Sequence, residues 1–207
     1  MSVKKGSTLL YQSEIPRHAY IVRKGFIRAF IITSSGDERT VALHTRGEIF
    51  PVSWIYGETK TTLFYYEAGS DVELACISKN NLVSTIAASP ELSAQLLRYV
   101  VNDHTALLMH ITALEQSNAI DKIALTLYYL LIRHSVEKMP GFYTIEIKMT
   151  QSMIASLVGL TRESTAMNIA KLKERGVITY SNFIYVVNKP NLEKMIGEDS
   201  FKDVLLK

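Results

Sequence analysis

Cysteine is nearly absent from this chain of 207 residues: Cys76 stands alone. One thiol excludes an intrachain disulfide, a four-cysteine zinc site and a cysteine-ligated iron–sulfur cluster, and the cytoplasm is the default compartment. Long apolar runs are missing too. The opening MSVKKGSTLLYQSE is too broken for a signal-peptide core, and the Leu-rich stretch from Ile123 to Ile132 is about half a membrane span, so neither export nor a membrane partner is expected. Charge of one sign is scarce: 23 basic against 20 acidic side chains leave a net +3, too little alone to indicate nucleic acid. The five histidines, His18, His44, His104, His110 and His134, are scattered, which predicts surface histidines and argues against a metal site and against haem. Ser-His-Asp arrangements, phosphate loops and paired carboxylates in a credible setting are lacking, so no enzyme is expected.

What is present is an ordinary globular composition, 47% apolar, sufficient for one large or two small domains. Glycines fall at 25, 36, 47, 57 and 69, separating segments rich in β-branched and aromatic residues. Turns at that spacing predict short antiparallel strands folded as a sandwich, roll or barrel. The clearest pair is Phe26 to Ile32 with Glu38 to His44, joined through Ser34-Ser35-Gly36-Asp37. Val72, Leu74 and Cys76 alternate with Glu73 and Ala75, which predicts a strand with one buried face and places Cys76 inside.

At Ser89-Pro90-Glu91 the period changes, with a capping Ser, Pro at the first helical position and an acid at the positive end of the dipole. The long helix that follows carries an apolar stripe of Leu92, Leu96, Val100, Leu107, Ile111 and Leu114, interrupted by Asp103. Periodicity allows two readings of it, packing against the β domain or parallel pairing with the same helix of a second copy. A second helix spans about Asn118 to Ser135, and an alternating strand from Tyr143 to Met149 follows the turn Met139-Pro140-Gly141. The expected domains are 1–88, a central helix over 89–117, and 118–207. The charge excess lies in the last: 11 basic and 11 acidic residues precede Asn118, 12 and 9 follow.

From Thr150 to Thr165 the sequence predicts two short helices. Thr150 caps the first, Gly159 ends it, and Thr161 caps the second, which is helix-turn-helix spacing. Ile154, Ala155 and Val158 point inward on the first, and Thr165, Ile169 and Leu172 on the second. Arg162, Glu163, Ser164, Met167, Lys171 and Lys173 lie off that stripe, as groups suited to base edges and phosphates. Val177 to Tyr180 and Phe183 to Val187, around the polar turn Ser181-Asn182, predict a wing.

The residues Met149-Thr150-Gln151, Ile154-Ala155, Val158-Gly159, Thr161-Arg162-Glu163-Ser164-Thr165, Leu172 and Gly176-Val177-Ile178 resemble the helix-turn-helix signature of the Crp/Fnr family of bacterial transcription regulators. The resemblance covers nearly the whole chain. It implies an α+β protein with an N-terminal antiparallel, jelly-roll-like β-roll, a long central dimerisation helix and a C-terminal winged helix-turn-helix. It further implies a homodimer, double-stranded DNA with a two-fold symmetric operator, and RNA polymerase as a partner, and it favours dimerisation for the stripe at Leu96, Val100, Leu107, Ile111 and Leu114. Arg162 and Glu163 match the family's base-reading pair, and Thr150, Gln151, Thr161 and Ser164 match positions on phosphates or flanking backbone. Four residues after Glu163 the family usually has a second Arg; this chain has Met167, which can meet a thymine methyl but cannot donate a hydrogen bond. Asn168 is adjacent, on the side expected to be buried.

Family members that bind cyclic nucleotides resemble one another in a Gly-Glu pair followed by Arg-Ser or Arg-Thr, because a buried cyclic phosphate needs a guanidinium. Here no Arg lies between Arg46 and Arg98; Gly57-Glu58 is a weak echo and Lys60 a lone cation, so no cyclic-nucleotide binding is expected. Phe50, Trp54, Tyr56, Phe64, Tyr65 and Tyr66 crowd the same stretch. Trp54, Tyr56, Phe64 and Tyr66 are candidates for the pocket of a small apolar effector, with core packing the competing reading. A reading from another class also stands, a regulatory or scaffold subunit on the same modules that binds no DNA.

Overall fold

The computed structural model describes residues 1–57 and 59–197; Glu58 of the Gly57-Glu58 echo lies outside the described residues. The chain divides into two compact units, residues 1–99 and 100–207. In the first, β1 (Ser2–Val3), β2 (Thr8–Leu10), β3 (Ala19–Lys24), β4 (Ile27–Ile32), β5 (Glu38–His44) and β6 (Ile49–Phe50) precede a short helix α1 (Val52–Tyr56), and β7 (Tyr65–Ala68), β8 (Val72–Ile77) and α2 (Lys79–Ala87) follow it. The strands pair antiparallel in two sheets, β1-β8-β3-β6 and β2-β7-β4-β5. This is the expected roll. The β4–β5 hairpin closes at Ile32 opposite Glu38, with Gly36 at φ 86 supplying the left-handed turn residue.

Residues from both sheets form one core, among them Leu10, Tyr20, Val22, Ile27, Phe50, Tyr66 and Leu74; Trp54 and Ile55 of α1 pack with Ala19 and Leu82 in a second cluster. Val72 and Leu74 are buried as their alternation predicts, whereas Cys76 is exposed, a correction to the expectation. Cys76 pairs with Tyr20, but the Tyr20 ring stacks on Phe50 of β6, on the other side of β3, 5.3 Å between centroids. The core closes on that side and leaves Cys76 at the rim.

Helix α3 (Pro90–Leu114) starts where Ser89 Oγ accepts the Leu92 N–H at 3.2 Å, and the division between the units falls within it. The stripe residues Leu92, Val100, Leu107, Ile111 and Leu114 are exposed and Leu96 is half-buried; Leu97, Val101 and Leu108 join them on the surface. Ala106, Met109, His110 and Ala113 take the buried side instead. Asp103, the break in the stripe, accepts from the guanidinium of Arg133 at 2.9 Å.

The second unit is built around α4 (Ala119–His134), capped by the Asn118 side chain on the Asp121 N–H. Ile123, Ala124, Leu127, Tyr128, Leu130 and Leu131 are almost fully buried, so this helix is the centre of its domain and not a surface element. It runs directly into β9 (Ser135–Met139), which pairs with β10 (Phe142–Ile145). The strand expected to reach Met149 stops at Ile145 because its partners end there; Ile147 and Met149 stay buried, but the Glu146 N–H turns to the His134 carbonyl. Among the described residues α5 (Gln151–Val158), α6 (Arg162–Glu174), β11 (Ile178–Ser181), β12 (Ile184–Asn188) and α7 (Lys189–Ile196) follow, with a sheet ordered β11-β12-β10-β9. None of the described helices is long and apolar enough to cross a membrane.

Candidate nucleic-acid interface

The helix pair α5 and α6 is fixed by caps at each joint. Thr150 Oγ1 accepts the Met153 N–H at 3.2 Å, and Thr161 Oγ1 accepts the Ser164 N–H at 3.1 Å. Between them Gly159 takes φ 69, ψ 30 and returns its N–H to the Ala155 carbonyl. A Cβ built on Gly159 meets nothing within 4 Å, so Gly159→Ala tests the backbone conformation by itself. The expected cost is about 1–2 kcal/mol, read as a lower urea midpoint with an unchanged denaturant slope.

Ile154, Ala155, Leu157 and Val158 of α5 and Thr165, Asn168, Ile169 and Leu172 of α6 form the buried sides. Asn168 lies inward as expected, its amide donating to the Ser164 carbonyl at 2.8 Å. Arg162, Glu163, Met167, Lys171 and Lys173 are exposed on α6, and Met167 keeps 61% of its surface in solvent. Thr161 is exposed, while Thr150, Gln151 and Ser164 are half-buried. Arg162 makes no ion pair among the described residues. It also sits in the first turn, where a cation opposes the helix dipole. The position therefore works against the stability of α6 while presenting a free guanidinium at its tip.

The wing is the hairpin β11–β12, tightly closed between Ser181 and Ile184. Its turn lies one residue later than expected. Asn182 and Phe183 are the central pair, at φ 50 and φ 65, as the twist of a two-residue hairpin demands. Phe183 is 59% exposed, and its carbonyl accepts the Met149 N–H at 2.9 Å, next to the cap of α5. Tyr180 stacks on Tyr185 at 5.2 Å, and the Lys173 ammonium lies over the Tyr180 ring at 5.4 Å. Burial of Tyr185 pushes its hydroxyl pKa up to about 12.

His110 and His134 correct the expectation of surface histidines: both are 3% exposed, and the packing role of His110 was not foreseen. His110 lies on α3, stacks on Tyr129 of α4 at 4.6 Å, and donates an imidazole N–H to the Leu157 carbonyl near the C-terminal end of α5. One side chain thus ties three helices. Its Nε2 is buried without a hydrogen-bond partner among the described residues, and burial holds its pKa below the ordinary histidine value. Below about pH 6.5 the unfolded chain takes up this proton and the folded chain does not. Stability is therefore full above that pH and falls as the solution becomes more acid, towards the folded pKa. Urea unfolding at several pH values should show this slope in the wild type and a shallower one in His110→Gln, which keeps a donor for Leu157.

The four candidate pocket residues are divided. Tyr66 and Phe64 belong with the main roll core, Trp54 with the α1–α2 cluster, and Tyr56 is exposed. Lys60, the lone cation of that stretch, is exposed as well. Among the described residues no group of three or more His, Cys, Asp or Glu is arranged to hold a metal ion.

Residues 1–89 match the cyclic nucleotide-binding domain family, and residues 121–195 match the Crp-like helix-turn-helix domain family. The chain is 24% identical over 199 residues to the fumarate and nitrate reduction regulatory protein of Vibrio cholerae, covering 94% of this chain and 77% of that one. It is 26% identical over 175 residues to the nitrogen fixation regulation protein FixK of Rhizobium meliloti, covering 84% and 75%. In structure it is similar to FixK2 from Bradyrhizobium japonicum, with a TM-score of 0.77 at 19% identity over 94% of each chain. It is likewise similar to a CRP-family transcriptional regulator from Thermus thermophilus, with a TM-score of 0.72 at 18% identity over 96% and 97%.

Proposed function

Because the chain belongs to the Crp/Fnr family of transcription regulators, not to a family of enzymes, we propose that it acts in the cytoplasm as a homodimer on a two-fold symmetric DNA operator. The observation that carries this reading is the outward side of α6, where an unpaired Arg162 and exposed Glu163 and Met167 stand on a buried stripe that fixes their direction. Arg162 grips guanine O6 and N7, Glu163 accepts from cytosine N4, and Met167 meets a thymine methyl. Thr150, Gln151, Thr161, Ser164, Lys171 and Lys173 contact the sugar-phosphate backbone. The exposed apolar side of α3, at Val100, Leu107, Ile111 and Leu114, pairs with the same helix of the second copy. Residues 1–88 serve as the regulatory roll, 89–117 as the dimerisation helix and 118–207 as the reading domain, with RNA polymerase as the protein partner. With no Arg between Arg46 and Arg98, the roll is not gated by a cyclic nucleotide.

Selection of bound fragments from random duplex DNA tests the proposal. Enrichment of an inverted repeat with half-sites about one helical turn apart is the expected result; recovery of unrelated sequences in proportion to the input sinks it. On the selected operator, affinity should fall steeply with salt. Lys171→Ala and Lys173→Ala should each reduce that slope by about 1 per reading head.

A further inference from the structure

We propose that Phe183 at the tip of the wing is a DNA contact of an uncharged kind, an apolar wedge that enters the minor groove flanking the half-site. The proposal rests on the operator-binding reading above and adds a specificity-determining residue to it. Three observations carry it. First, Val177 to Asn188 contains no charged side chain, so the hairpin has no cation with which to neutralise a phosphate. Second, Phe183 is 59% exposed at φ 65. That backbone region suits Gly or Asn and is an outlier for a bulky residue, and a Gly would close the same turn without strain. The ring thus opposes the fold through both its exposure and its backbone conformation.

Third, the tip is held beside the reading helices. The Phe183 carbonyl takes the Met149 N–H, one residue before the cap of α5, and Lys173 of α6 reaches over Tyr180 on the same hairpin. With α6 in the major groove, a tip anchored next to the start of α5 meets the neighbouring groove. Aromatic wedges in the minor groove unstack a base step and bend the duplex, and flexible TA or CA/TG steps yield most readily. The wing then selects for deformability at flanking positions that Arg162 and Glu163 never touch.

The test uses the full-length chain and its selected operator, with Phe183→Gly beside Arg162→Ala. Gly relieves the turn, so the variant should unfold at the same or higher temperature, and misfolding cannot account for lost binding. Operator affinity should fall about tenfold while the slope of log affinity against log salt stays unchanged, because a wedge releases no counterions. Energy transfer between dyes on the duplex ends should show a smaller bend. Replacing the flanking flexible step by a stiff A-tract should weaken the wild type and leave Phe183→Gly indifferent. Wild-type affinity in Phe183→Gly, or a salt slope reduced by about 1 as for a phosphate contact, overturns the wedge. If Phe183→Gly binds normally while Arg162→Ala loses the operator, the wedge alone fails. If Arg162→Ala also binds normally, the base-reading proposal fails and takes the wedge with it.

Discussion

Leu107→Glu should leave the chain folded and make it monomeric. Leu107 is 46% exposed in the single chain, so a charged side chain there meets water as long as no second copy covers it. In the proposed pair the same side chain becomes buried. Full burial of a leucine contributes about 1.5–3 kcal/mol; with half of it already covered, the seam gains about 1 kcal/mol per chain, and two-fold symmetry counts this twice. The larger effect is the carboxylate. Taking an ion out of water costs several kcal/mol, again in both copies, so dimerisation should weaken by more than about 5 kcal/mol. Sedimentation at micromolar concentration should read a dimer for the wild type and a monomer for the variant, with unchanged secondary structure. Operator affinity should collapse with it, because two half-sites are then bound independently. An unaltered dimer would mean that this side of α3 is not the seam.

Arg162→Ala should separate recognition from attraction. The side chain makes no ion pair among the described residues and stands at the positive end of α6, so its removal leaves stability unchanged or raises it by a few tenths of a kcal/mol. On the operator each half-site loses a two-bond contact, about 1–3 kcal/mol per reading head. Binding to random duplex should change little, since it rests on phosphate contacts spread over several residues. Competition titrations with both DNAs measure the difference directly. Equal losses on the two would place Arg162 on the backbone, and Glu163 and Met167 would then have to carry the sequence reading.

The parts of the fold legible in the sequence were those with punctuation. Ser89, Asn118, Thr150 and Thr161 announce four helices, and all four cap with their side chains in the structure. Helix α1 carries no such mark: Pro51 precedes it without a side-chain cap, and its residues Val52, Trp54, Ile55 and Tyr56 suit strands equally well. Helix α2 has a cap at Ser78, but Asn80 and Asn81 weaken its helical character. Strand β9 follows α4 with no Gly or Pro between, so nothing local separates the two. Helix α7 was not read although the sequence marks it: Asn188 caps it and Pro190 stands in its first turn.

At the site, the outward positions of α6 followed from periodicity because its buried stripe is short and unambiguous. The fate of the α3 stripe did not. An apolar seam has the same spacing whether it meets its own chain or another, and only the burial of Ala106, Met109, His110 and Ala113 shows which side this chain covers itself. The wing tip was displaced because Phe183 is an improbable residue for a left-handed turn. His110 was misplaced on the surface because its burial and role depend on Tyr129 and Leu157, neither of them near it in sequence.

The rim position of Cys76 has a practical consequence. A chain with one thiol, and that one open to solvent on a regular strand, accepts a nitroxide at a single defined place without any engineered cysteine. In the proposed homodimer the two labels carry two unpaired electrons, and pulsed dipolar spectroscopy converts their coupling into a distance. Recorded with and without operator, that distance distribution would report whether duplex binding changes the separation of the two rolls.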